Sequence, residues 1–142
     1  KPALNSVNKI LDEIDPSREW ANYRGLLDKN ELRLLYKNYD FSIFASSCEA
    51  LPNTVMEIMA SRVPILSSRS CSMPEILQDN AVYFNPESIE GIENSIIYAV
   101  SHQSTIKQNA INAQKNAKSY SWEDSSINFF NYVSEIISNE KL

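Results

Sequence analysis

Leu4, Val7, Ile10, Leu11 and Ile14 recur every three or four positions, so residues 3–14 are expected to form a core-facing helix, stopped by Asp15-Pro16-Ser17. Residues 20–24 read as a short strand, and Gly25 lets the backbone turn sharply at its end. A second helix is expected over residues 30–39, with Leu32, Leu35 and Tyr36 turned inward, before an apolar strand over residues 41–45. Residues 46–52 form a loop, residues 53–61 a helix and residues 63–67 another strand. Ser72 and Glu75 stand at the spacing of a capping box, with Pro74 in the first turn of a short helix. Residues 81–84 make the last strand, closed by Asn85-Pro86. The remainder is helical, over residues 87–101, 105–118 and 122–139, and Phe129, Phe130, Tyr132, Val133, Ile136 and Ile137 of the last helix suit core or docking contacts.

Short apolar strands alternating with helices predict an α/β fold, a Rossmann-like parallel sheet with flanking helices. A chain of 142 residues, 43% hydrophobic and 22% charged, can bury one core. Gly25 and Gly91 are its two glycines, which excludes both the P-loop and the glycine-rich dinucleotide loop. A net charge of −5 argues against nucleic acid, whose phosphates must be neutralised by Lys and Arg. With Cys48, Cys71 and His102 scattered singly, neither a metal cluster nor a Cys-His nucleophile is expected. The two thiols read as small packing residues in a reducing cytoplasm, and His102 as a cation complementing a helix end. Lys29 and Lys37 read as solvated. With no apolar run of membrane-spanning length and no charged-then-apolar leader, the expected location is the cytoplasm, at most peripheral to the inner face of the plasma membrane.

The chemistry concentrates in residues 46–67, SSCEALPNTVMEIMASRVPILS. Glu49 follows a strand end, and Glu57 lies in the first turns of the next helix. In an open α/β sheet, ligands collect outside the carboxyl ends of the strands, where this loop must sit. A helix starting there offers unpaired amides at Asn53, Thr54 and Val55 and the positive end of its dipole, a fit for phosphate. Glu57, one turn deeper, would accept from vicinal hydroxyls. A second reading carries equal weight on residue chemistry alone: Thr54-x-x-Glu57 is itself a capping box, and Glu49 a solvated loop carboxylate. The run Val55-Met56-Glu57-Ile58-Met59-Ala60 tilts the balance, because it predicts a buried helix on which a carboxylate needs a partner.

The run from SSCE-x-LPN through IMAS-x-VPIL to MPEIL and AVYFNP resembles the C-terminal domain of group 1 (family 4, GT-B fold) glycosyltransferases, whose core motif Glu-x7-Glu is matched by Glu49 and Glu57. YRGLLDKNELRLLY upstream and SYSWED downstream extend the likeness over most of residues 20–126. The resemblance implies retaining transfer from a nucleoside diphosphate sugar, a UDP-hexose or UDP-N-acetylhexosamine, with no metal or other cofactor. It implies that Glu57 holds the ribose and that Glu49, the catalytic carboxylate, contacts the donated sugar as positioning and electrostatic support. Pro52, Asn53 and Thr54 would meet the diphosphate or sugar through their backbone, and Leu26 the base. The implied partners are the nucleotide-sugar donor and a lipid-linked saccharide acceptor of bacterial surface polysaccharide, the acceptor held by a separate N-terminal domain.

Two departures from the family pattern matter. Ala50 and Arg62 stand where the family often has glycine, and Arg62 puts a left-handed helix end in doubt. The family's opening strand with its Gly-Arg segment and following lysine has no match before Lys1, so residues 1–142 read as a partial sugar-nucleotide-binding domain without its first two strands. The edge of residues 41–45 is then expected to favour self-association. The competing expectation is an α/β interaction module that keeps the shape without the activity.

Overall fold

A computed structural model describes residues 2–139. The chain divides into two compact units, residues 1–32 and 33–142.

The first unit contains α1 (Pro2–Ile14) and the start of α2 (Lys29–Asn38). The apolar stripe of α1 is not core: Leu4, Val7, Ile10 and Ile14 are exposed and Leu11 is half-buried. Residues 20–24 are not a strand either. The amides of Glu19, Trp20 and Ala21 donate to the buried Asp15 carboxylate at 3.1, 2.9 and 2.7 Å, so this segment wraps a side chain instead of joining a ladder. Burial alone would push the Asp15 pKa up, but the amides of Ala21, Trp20 and Glu19 and the charge of Arg18 outweigh it and hold the carboxyl below its ordinary value. Gly25 does turn left-handed, at φ 66°. Asp28 caps α2: its carboxylate accepts from the Asn30 and Glu31 amides, while Glu31 reaches back to the Asp28 amide at 2.9 Å.

The second unit is built on three parallel strands, β1 (Ser42–Phe44), β2 (Ile65–Ser68) and β3 (Val82–Phe84), ordered β1-β2-β3. Ile43 pairs with Leu66, and Ser67 with Tyr83. Between and after them come α3 (Asn53–Ser61), α4 (Met73–Leu77), α5 (Ile89–Ser101), α6 (Gln103–Ala117) and α7 (Trp122–Asn139). Central β2 is buried at every position and its side chains alternate between two clusters. Ile65 packs with Val55, Ile58 and Met59 of α3, Met73, Ile76 and Leu77 of α4, and Ala113 of α6. Leu66 packs with Phe84, Ala99 of α5 and Ile106 of α6. The α/β sheet is thus covered on both faces, as parallel sheets require. β1 has no neighbour on its outer side among the described residues, and Ile43 there is exposed. α7 buries none of its residues, so its apolar side chains are not core. His102 closes α5 as expected, with Nδ1 3.0 Å from the Tyr98 carbonyl and its ring stacked on Tyr98.

Tyr83 ties β3 to α4. Its hydroxyl donates to the Gln78 carbonyl at 2.7 Å, and burial together with the charge of Asp79, offset by Arg69, pushes its ionisation up to about 12.

The left-handed end of α3 forms despite its side chain. Arg62 sits at φ 62°, ψ 32°, and the turn closes with the Arg62 amide on the Met59 carbonyl at 3.1 Å. A residue with Cβ is strained there, whereas glycine is not. Arg62 is exposed, so no packing is lost with it. Arg62→Gly is expected to raise stability by about 1 kcal/mol, read as a higher urea midpoint at unchanged slope. A lower midpoint would show that the arginine side chain contributes more than its backbone costs.

Candidate active site

Parallel order puts the loops after β1, β2 and β3 at one rim, the carboxyl ends of the strands. The loop after β1 is residues 45–52, and it is held in place by the segment after β2. Ser68, fully buried at the end of β2, donates from Oγ to the Ser46 carbonyl at 2.6 Å. Cys71 Sγ donates to the Ser47 carbonyl at 3.7 Å, and Ser72 Oγ to the Glu49 carbonyl at 3.4 Å. Ser46 Oγ lies 2.9 Å from Glu49 Oε1 and donates to it. Glu49 is half-buried, so this bond fixes its carboxylate at the rim instead of leaving it to wander in solvent. Ser46 and Ser68 were not singled out by sequence, although Ser46-Ser47 follow β1 and Ser67-Ser68 end the adjacent β2.

Ser72 spends its hydroxyl on the Glu49 loop and makes no cap, so the expected Ser72–Glu75 box does not form. The Ser72 backbone is already helical, which turns its side chain away from the amides it would have capped. Cys48 and Cys71 are free and exposed, not packing residues, because both stand on this surface loop pair.

The helix α3 begins at Pro52, which is buried and extended (φ −77°, ψ 109°) and makes no side-chain cap. The Thr54–Glu57 capping box is therefore not formed: Thr54 lies inside the first turn, not at its boundary. The Val55 and Met56 amides turn back to the Pro52 carbonyl at 3.0 and 3.3 Å. Those of Asn53 and Thr54 precede any intrahelical acceptor. Val55, Ile58 and Met59 are buried, while Asn53, Thr54, Glu57 and Ala60 are exposed. Glu57 follows Asn53 by four and Thr54 by three, so the three share one solvent-facing stripe. This corrects the expectation of a buried Glu57: the helix is buried on one side only, and its carboxylate needs no partner for stability. Glu57 faces Tyr36 of α2, whose phenol is pushed up first by burial and then by the Glu57 charge. On the opposite flank, Gln114 of α6 donates to the Ala60 carbonyl at 2.9 Å and steadies the far end of α3.

Five of the six anticipated residues, Glu49, Pro52, Asn53, Thr54 and Glu57, thus fall on one continuous loop-to-helix segment. Leu26 belongs to the first unit, where it is fully exposed beside Gly25. A further cleft at the ends of β2 and β3 is lined by Arg69, Ser70, Tyr83, Phe84, Asn85 and Pro86, with the Arg69 guanidinium 5.8 Å over the Tyr83 ring. Chemically, the segment offers amides and a helix dipole for an anion, flanked by two acceptors for hydroxyl groups.

Known proteins share this fold. The chain is 25% identical over 105 residues to the O-antigen chain mannosyltransferase B of Escherichia coli, an alignment covering 74% of this chain and 28% of that protein. The chain therefore spans little more than a quarter of that relative's length. Sucrose-phosphate synthase from Thermosynechococcus elongatus superposes with a TM-score of 0.80 at 13% identity, over 95% of this chain and 34% of that one. The C-terminal domain of a glycosyl transferase group 1 family protein (LpcC) from Francisella tularensis gives 0.68 at 18% identity, over 83% and 62%. At such identities the two structures speak for the fold. The family model for glycosyl transferases group 1 matches residues 20–119, from the Asp15-bound loop through α6. This chain belongs to the group 1 glycosyltransferases, and its sheet with its flanking helices is that of the GT-B enzymes.

Proposed function

We propose that this chain is the donor-binding part of a retaining glycosyltransferase. It takes a sugar from a nucleoside diphosphate sugar, a UDP-hexose or UDP-N-acetylhexosamine, and passes it to a lipid-linked saccharide of bacterial surface polysaccharide. The observation that carries this reading is the α3 terminus. An uncapped helix start at the sheet's carboxyl rim, with Glu49 held before it and Asn53, Thr54 and Glu57 along one exposed stripe, matches a diphosphate flanked by two sugars. The O-antigen role of the Escherichia coli relative favours the polysaccharide setting, and its mannosyl specificity favours a hexose donor.

In this reading the Asn53 and Thr54 amides meet the diphosphate and stabilise the charge that grows on it as the sugar–phosphate bond breaks. Glu57 accepts from the ribose hydroxyls. Glu49, oriented by Ser46, accepts from hydroxyls of the donated sugar and offsets positive charge developing at its anomeric carbon. Leu26 would meet the base through its backbone, and the acceptor would be held by a further domain working at the inner face of the plasma membrane. Among the described residues no helix is long and apolar enough to cross a membrane.

Titration separates this reading from an inactive interaction module. UDP or GDP added to the protein is expected to shift the amide signals of residues 53–57 and of Glu49. Signals that stay fixed with both nucleotides at millimolar excess would remove the donor-site assignment.

A further inference from the structure

Cys48 and Cys71 are free, exposed and placed on the two loops that meet at the rim. The Cys71 thiol is 3.7 Å from the Ser47 carbonyl oxygen, and that carbonyl belongs to the peptide whose nitrogen is Cys48's own. Across a trans peptide this puts Cys71 Sγ within about 6.5 Å of Cys48 Cα. The neighbouring contacts hold the loops in this register on both sides: Ser68 on the Ser46 carbonyl before it, and Ser72 on the Glu49 carbonyl after it. A disulfide needs the two sulfurs about 2.05 Å apart, so forming one calls for rotation of the two side chains and an adjustment of the loops that carry them. Cys71 sits at φ 52°, a left-handed position, and its thiol reaches the Ser47 carbonyl of the facing loop.

We propose that Cys48 and Cys71 form a thiol–disulfide modification site that locks the Glu49 loop to the segment after β2. The oxidant is a low-molecular-weight disulfide. The Cys71 thiol gives its proton to solvent, and its sulfur attacks one sulfur of the oxidant, expelling a thiolate that takes up a proton and leaving a mixed disulfide. The deprotonated Cys48 sulfur then attacks Cys71 sulfur and expels the second thiolate. Two protein thiols are oxidised and one small disulfide is reduced to two thiols; a reducing thiol reverses both steps. The bond adds a covalent tie one residue before Glu49, where the reduced loop is held by hydrogen bonds and can adjust to a bound sugar.

Bond formation stands independently of the proposed transferase function, whereas its effect on turnover rests on that reading. The full-length protein is incubated with oxidised glutathione, blocked with an alkylating agent and digested with trypsin without reduction. Peptides 38–62 and 70–107 are expected as one cross-linked species, two hydrogens lighter than their sum, that separates on adding dithiothreitol. Cys48→Ser and Cys71→Ser should each abolish it. Transfer activity should fall by about 10-fold or more on oxidation and recover on reduction, since misplacing a group by about 1 Å at a reacting centre costs up to about 100-fold. The variant carrying both Cys48→Ser and Cys71→Ser should keep its activity in the oxidant. Separate glutathionylation of each cysteine, or two thiols that stay reduced, would overturn the site. A cross-link that leaves turnover unchanged would overturn the locking effect while leaving the donor site standing.

Discussion

Glu57→Ala is expected to lower kcat/KM for sugar transfer by about 10²- to 10⁴-fold, because two hydrogen bonds from ribose hydroxyls to a charged acceptor are worth about 1.5–3 kcal/mol each. Its stability should stay within about 0.5 kcal/mol of the parent, since the side chain is exposed and caps nothing. That separation makes the experiment informative. Had Glu57 been buried or part of a capping box, lost activity could follow from a disturbed helix. In the structure it contributes to neither, so an inactive, fully folded variant points to the ligand. Glu57→Gln tests the charge with nearly the same volume and should fall between the two. Unchanged turnover in Glu57→Ala would remove this carboxylate from the donor site.

Leu66→Ala is expected to cost about 2–5 kcal/mol, the largest stability effect among single changes considered. Leu66 is fully buried in the central strand and touches Phe84, Ala99 and Ile106, which come from β3, α5 and α6. Truncation leaves a cavity walled by rigid elements that cannot collapse into it. Against a total of about 5–15 kcal/mol for an ordinary domain, this is a large fraction. Urea unfolding of the variant reads it directly as a lower midpoint at similar slope. A shift under about 1 kcal/mol would mean that the α5 and α6 side of the sheet is loosely packed.

The strands at residues 41–45, 63–67 and 81–84 were legible because strands of a parallel sheet are short apolar runs. The helix at Asn53–Ser61 was legible to the residue, since Pro52 fixes its start. What misled was apolar character without a third dimension. The stripe on α1 and the aromatic run on α7 have the right period, yet a period says that a face wants cover and not that this chain supplies it. The supposed strand at residues 20–24 was lost to Asp15, a helix-ending residue whose carboxylate captured three amides in a row. At the site, the Glu49–Glu57 spacing was visible, but two details were not. Val55, Ile58 and Met59 alone take the inward side of α3, which leaves Glu57 outside. Ser72 turned to the Glu49 loop, a tertiary partner more than twenty residues away. Local motifs such as capping boxes compete with long-range acceptors, and the spacing of letters does not record which one wins.

The tethering of residues 46–49 by Ser68, Cys71 and Ser72 has a practical meaning for anyone wishing to redirect such an enzyme toward another sugar. The loop that carries Glu49 is held by a stretch some two dozen positions downstream of it. Mutant libraries confined to the motif would vary the furniture and leave the room unchanged.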